Sequence, residues 1–218
     1  MLKFLFSRSV IAPAFLLAAT VALTSCTPQL KQEEVPAVYY TLNPQPGLAE
    51  GLAKPSCYAA KSLMVEDFTI ASTWRGRNFI YKTGPSKTES DAYHQFFQSP
   101  ADMLTDAVRA SLRSAQWWQS VSAYSGGNDA DYQLEAHITE LYGDFTNREA
   151  PQAVLGIQFF LLKDKGRHDI IQFSETYRAA TPFAAGNPDL LAEAWNQSLA
   201  KALQQLLADI ATCPTRDR

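Results

Sequence analysis

Three histidines, two acidic pairs and three cysteines are the side chains in this sequence whose chemistry goes beyond packing. His94, His137 and His168 could each ligate a metal, but none has a Cys or His at the spacing of a zinc site. They read as packed or solvated side chains, so no metal ligand and no cofactor is expected. Glu66-Asp67 and Asp129-Ala130-Asp131 are the acidic pairs. Acid–base catalysis needs groups that converge on one substrate, whereas adjacent strand residues point to opposite faces. Neither pair has a forced catalytic geometry, and both read as solvated surface. The sequence contains neither a Gly-x-Ser-x-Gly elbow nor a phosphate-cradling glycine loop. No catalytic residue is expected, and the chain reads as something other than an enzyme.

The cysteines carry more. Lys3 and Arg8 precede an apolar run from Val10 to Leu23, broken only by Thr20. At about 14 residues it has the size of a signal-peptide core and falls short of the about 20 residues a membrane span requires. Leu23-Thr24-Ser25-Cys26 closes the run and resembles the bacterial lipobox. Small residues there admit a peptidase, and the Cys26 thiol is the nucleophile that takes up a diacylglycerol. Several acyl chains on one Cys, at about 0.8 kcal/mol per buried CH₂, make a stable anchor. Thr27 follows Cys26 where an Asp would favour retention in the inner membrane, so sorting to the periplasmic face of the outer membrane is expected. An exported chain sits in an oxidising compartment where Cys57 and Cys213 can pair. Two buried free thiols are the alternative, because a bridge needs Cα atoms within about 7 Å and spacing alone does not supply that.

Removing residues 1–25 takes Lys3 and Arg8 away from a chain of formal charge −3. The more acidic remainder is a poor match for nucleic acid, which demands a basic patch.

The elements that position these residues follow from apolar periodicity. Residues 26–56 contain Pro28, Pro36, Pro44, Pro46 and Pro55 and read as a lipidated tether, with one short strand at 38–42. Leu63 and Val65 share one parity and Phe68 and Ile70 the other, so that strand either bulges near Asp67 or is buried on both faces. Strands are expected at 78–82, 93–97 and 120–124, with a polar connection at 83–91. Ser99-Pro100 opens a helix with Ser99 as its cap, carrying an apolar stripe of Leu104, Val108 and Leu112 to Ala115. Tyr132, Leu134, Ala136 and Ile138 alternate as a half-buried strand, Val154–Leu162 suits a central strand, and 169–177 returns antiparallel after a turn at 164–167. Asn187-Pro188 opens a last helix with Leu191, Trp195, Leu199, Leu206 and Ile210 on one face. Cys213 follows it, placed to staple the chain end to the first core strand. The expected fold is α+β, a mainly antiparallel sheet with two helices packed on one face. It occupies residues 57–213 as one domain, with 214–218 as a tail.

Three aromatic doublets, Tyr39-Tyr40, Phe96-Phe97 and Trp117-Trp118, complete the picture. On a strand one member of each must face away from the other, so core packing and an interface both remain open for these residues. Tyr39, Tyr40, Trp117 and Trp118 are the interface candidates.

The order of these features resembles the ABC-type transport auxiliary lipoprotein family. The matching residues are the lipobox at Cys26, Tyr39-Tyr40-Thr41-Leu42, the strand at Leu63–Phe68, Ile80-Tyr81, Tyr93–Phe97 leading into the Ser99-Pro100 helix, Tyr132-Gln133-Leu134-Glu135 and the amphipathic C-terminal helix. The resemblance implies a non-catalytic lipoprotein that docks the periplasmic MCE-domain protein of an envelope transport system at the outer membrane, where lipids move between membranes. Its partners would be that protein, the membrane through its own lipid anchor, and a second copy of itself in a homo-oligomer. Competing readings are an outer-membrane assembly lipoprotein of the lipopolysaccharide type, a small periplasmic hydrolase, and a domain that itself binds lipid.

Overall fold

The parity change between Leu63-Val65 and Phe68-Ile70 is the key to the sheet in the computed structural model. Residues 36–44, 47–123, 130–164 and 169–213 are described, and all fall in one compact unit beginning at Pro36. Strand β2 (Ser62–Val65) pairs in parallel with β7 (Tyr132–Asp144), Val65 opposite Leu134. Strand β3 (Thr69–Ile70) resumes along the same edge of β7 with Thr69 opposite His137. Four residues on one side therefore span three on the other, which is a bulge, and it turns Phe68 and Ile70 back into the core with Leu63 and Val65.

A helix repairs the interrupted ladder. Thr105 and Arg109 lie on α1 (Pro100–Ala115). The Phe68 amide donates to Thr105 Oγ1 at 3.0 Å, and Arg109 Nη2 donates to the Val65 carbonyl at 3.2 Å. Replacing Thr105 by Val keeps the shape and strands a buried amide, which costs about 1–3 kcal/mol. A urea melt of Thr105→Val reads that loss, and an unchanged midpoint would contradict this role for the helix.

On its other edge β7 runs antiparallel to β8 (Gln152–Asp164), and β8 to β9 (Asp169–Pro182). Beyond β3, β7 also pairs in parallel with β4 (Asn78–Gly84), which forms an antiparallel hairpin with β5 (Lys87–Phe96). Strand β1 (Val38–Tyr40) adds in parallel to β5, and β6 (Ser120–Ser122) to β2. The long ladders are antiparallel, so the fold is α+β with a mainly antiparallel nine-stranded sheet. The parallel pairings, each two or three residues long, attach its two limbs.

One face carries both helices. Leu134, Ile138, Ile157, Phe159 and Leu161 point to it and are fully buried. Phe68, tied to α1, meets Phe159 edge-on, while α2 (Pro188–Ala211) places Ser198 Oγ within 3.0 Å of the Ala153 carbonyl. Asn187 caps α2 by accepting from the Asp189 amide at 2.9 Å. Ser99 stands at the cap position of α1, yet its hydroxyl makes no capping bond; Pro100 and Asp102 occupy the first turn.

Two further expectations need correction. Residues 83–91 are not a loop: the hairpin turns at Pro85-Ser86, and Lys87–Asp91 are strand. Their side chains are polar on both parities, so the ladder is held by the backbone and leaves no hydrophobic period to read. Thr41, Leu42 and Asn43, expected within the tether, lie against α2. Leu42 is buried, and Asn196 accepts from the Asn43 amide and donates to the Thr41 carbonyl. Cys57 in a short 3-10 turn (Ser56–Tyr58) and Cys213 after α2 are disulfide-bonded, with Cα atoms 6.1 Å apart.

Candidate functional site

The aromatic doublets separate into core and surface. Tyr39 and Phe97 face out, whereas Tyr40 and Phe96 face in, as strand alternation requires. Tyr40 packs on Phe79 and donates its hydroxyl to Asp189 at 2.8 Å, which latches β1 to the start of α2. Burial first and that acceptor second raise its hydroxyl to about 12. Trp117 and Trp118 lie between α1 and β6 rather than on a strand, so alternation does not apply and both rings are buried. Trp118 stacks on Tyr58 beside the disulfide. These two interface candidates are therefore core side chains.

His94 and His137 each have their own partner on separate strands. His94 Nδ1 lies 2.7 Å from Asp91, His137 Nδ1 lies 2.8 Å from Thr69 Oγ1, and His168 is outside the described residues, as are Cys26 and Asp129. Among the described residues no group of three His, Cys, Asp or Glu side chains could hold a metal. Asp67 is exposed and Glu66 is bonded by Gln133. Asp131 accepts from Lys61, the Ser62 amide and the Ser62 hydroxyl, which together pull its carboxyl down to about 2 and pin the start of β2 to β7.

Asp91 organises the bend of β5 between Ser90 and Gln95, where its pairing with β4 shifts register. It accepts from Tyr81 Oη at 2.6 Å and from the amides of Tyr93 and His94. Burial alone would raise its pKa, but these bonds and the His94 ring outweigh burial and bring it to about 2. A folded-state pKa below the unfolded one stabilises above about pH 4 and loses that contribution as pH falls through about 2. Asp91→Asn is therefore expected to cost about 2 kcal/mol at neutral pH, with the gap to the parent closing between pH 4 and 2 in parallel urea melts.

A cleft opens beside this bend. Tyr81, Phe145, Phe183, Pro188 and Leu191 line it, and its volume is about 410 Å³, within the range of binding sites. Tyr81 and Phe183 each meet Phe145 edge-on, at 5.3 and 5.6 Å. Phe145 is placed by its amide, which extends the β7–β4 pairing to the Lys82 carbonyl, and by Asp144, which folds the next residues into a turn. Gly143 permits the approach, since a Cβ there would come within 3.0 Å of Phe145 and 3.1 Å of Leu191. Glu89, bonded by Lys87 and Thr83, and Arg148 stand at the rim. The arrangement is an aromatic receptacle with charged edges, suited to receive apolar groups. Its residues come from four separate elements and loops, and the sequence reading missed it; the one local signal is Phe145, a lone aromatic in a polar turn.

Among the described residues no helix is long and apolar enough to cross a membrane. The described unit is a mainly antiparallel sheet with two helices on one face and an aromatic cleft. The chain belongs to the family of ABC-type transport auxiliary lipoprotein components, whose model matches residues 40–211. It is thus an envelope-associated auxiliary component of ABC-type transport. No curated protein matches it. Among solved structures it is similar to protein XCC0632 from Xanthomonas campestris, of the DUF330 family, with a TM-score of 0.70 and 17% identity over 81% of this chain and 95% of that one. An uncharacterized protein matches with a TM-score of 0.58 and 17% identity over 81% and 97%. These likenesses show the fold alone. The hypothetical protein CT253 from Chlamydia trachomatis, at 9% identity over 69% and 96%, has a TM-score of 0.48 and carries no argument.

Proposed function

We propose that the chain is a non-catalytic lipoprotein, cut before Cys26 and acylated on it, which stands on the periplasmic face of the outer membrane. There it docks the MCE-domain protein of an envelope transport system, so that lipids cross between membranes along a shielded route. Each CH₂ exposed to water costs about 0.8 kcal/mol, which is why a docked route is favoured over free diffusion. The observation that carries this reading is the family match, which covers nearly all of the described unit. The Tyr81–Phe145–Phe183–Leu191 cleft is the surface we assign to the partner, because preformed aromatic pockets accept the anchor side chains that dominate protein interfaces.

The test is a pull-down of the tagged, acylated chain from detergent-solubilised envelopes, with and without Phe183→Asp. Recovery of an MCE-domain protein that falls about tenfold or more in the variant is expected, the size of one lost anchor. Recovery of a large β-barrel in its place would support the assembly-lipoprotein reading, and no MCE-domain partner at all would overturn the proposal.

A further inference from the structure

Five large hydrophobic side chains are exposed among the described residues, and four of them gather at one sheet edge. Tyr39 (52% exposed) is on β1, Tyr93 (49%) is on β5, Phe97 (58%) follows β5, and Val38 (45%) opens β1. Tyr39 pairs with Gln95, so Tyr39 and Phe97 share the parity that points away from the helices, and Tyr93 is exposed on the same strand where its pairing with β4 shifts register. Tyr39 and Phe97 meet edge-on at 6.3 Å, and the Arg77 guanidinium lies 5.3 Å from the Tyr39 ring centre. Arg77 is itself tied to the Phe96 carbonyl, so a fixed cation stands beside the rings. None of these residues lines the aromatic cleft.

We infer that this patch rests on the lipid surface to which Cys26 is attached, seating the β1 edge in the headgroup region of the bilayer. The inference rests on the anchor reading above. Its first support is the chain itself. Only residues 27–37 separate the acylated cysteine from Val38. A chain of that length reaches about 40 Å at most. The chain from Cys26 enters the described strands at Val38, beside the patch, and tethering there raises the patch's effective concentration at the membrane without any new contact. Chemistry is the second support. Tyr and Phe beside an Arg are interfacial side chains, with rings at the acyl boundary and the cation among phosphates. A protein partner would favour a pocket, whereas a bilayer asks only for an exposed apolar face.

The experiment uses the full mature chain, its Cys26 acylation confirmed by mass, in vesicles of phosphatidylethanolamine with a minority of phosphatidylglycerol. A benzophenone-bearing phenylalanine replaces Phe97 in one preparation, Tyr93 in a second, and Ile171 in a third. Ile171 is the remaining exposed hydrophobic and sits on β9 at the other edge of the sheet. Phospholipid adducts about tenfold more abundant at positions 97 and 93 than at 171 are expected, a docked preference of about 1.4 kcal/mol. Equal yields at all three positions, or adducts at 97 and 93 to a second copy of the chain, would overturn the inference. So would adducts at 97 and 93 to another polypeptide when the same chains are irradiated in whole envelopes. An unacylated Cys26 would sink the anchor reading and the inference with it; an acylated chain without the lipid adducts sinks the inference alone.

Discussion

Trp195→Ala is expected to lose about 3–5 kcal/mol of folding stability, the range for deleting a large aromatic from a closed core. Trp195 is 1% exposed and sits in the first turns of α2. Its ring meets Phe79 of β4 edge-on at 4.8 Å and Phe96 of β5 at 5.3 Å, and its Nε1 donates to the carbonyls of Tyr142 on β7 and Val154 on β8. One side chain therefore joins the central strands to the limb that carries the hairpin, the cleft wall at Tyr81 and the β1 edge. The loss should fall unevenly. Beyond the lower urea midpoint, amides of β4 and β5 should exchange with deuterium faster than those of β8 and β9, because the limb is otherwise joined to β7 by a short parallel pairing. Trp195→Phe keeps most of the packing and gives up the shared hydrogen bond, so its cost is expected near 1 kcal/mol. Equal losses in the two variants would mean that the bond, and not the ring, holds the limb.

The helical stripes were legible because burial follows a period that the residues state outright. Leu104, Val108 and Leu112 on α1, and Leu191, Trp195, Leu199, Leu206 and Ile210 on α2, are all buried. The parity change at Asp67 was legible as a choice between a bulge and two-sided burial, and the register against β7 selects the bulge. What settles it comes from outside the segment, since Thr105 and Arg109 supply the bonds that the broken ladder lacks. The parallel pairings of β1, β2, β3 and β4 were illegible for the same reason: each joins segments distant in sequence through two or three backbone positions. The cleft was harder still. Tyr81, Phe145, Phe183 and Leu191 become neighbours only once β4, β7, β9 and α2 are stacked, and none departs from its local pattern except Phe145. Trp117-Trp118 misled because the alternation argument presumes a strand, and those rings lie outside one.

Replacing Cys57 and Cys213 together by Ala is expected to cost about 2–5 kcal/mol. The bridge joins residues 156 apart, so in the chain-entropy model the unfolded state loses much of its freedom when the loop is closed. The folded state has its own reason to depend on the bond. Cys57 precedes β2, whose Leu63 and Val65 are fully buried, and Cys213 follows Ile210 at the end of α2. Next to the bridge, Tyr58 stacks on Trp118 at 4.0 Å and meets Tyr132 edge-on. The bond thus ties the last turn of α2 to the chain that enters the β2 limb, at an end of the sheet where the parallel pairings are short. Urea melts of the oxidised parent, the reduced parent and the double variant distinguish the contributions. If closure of the loop dominates, the reduced parent and the double variant should both fall to a similar midpoint, and the near-ultraviolet aromatic dichroism should persist in each below the transition. A dichroic signal lost before the transition would assign the bridge a local role, holding the Tyr58–Trp118–Tyr132 cluster together, in place of a global one.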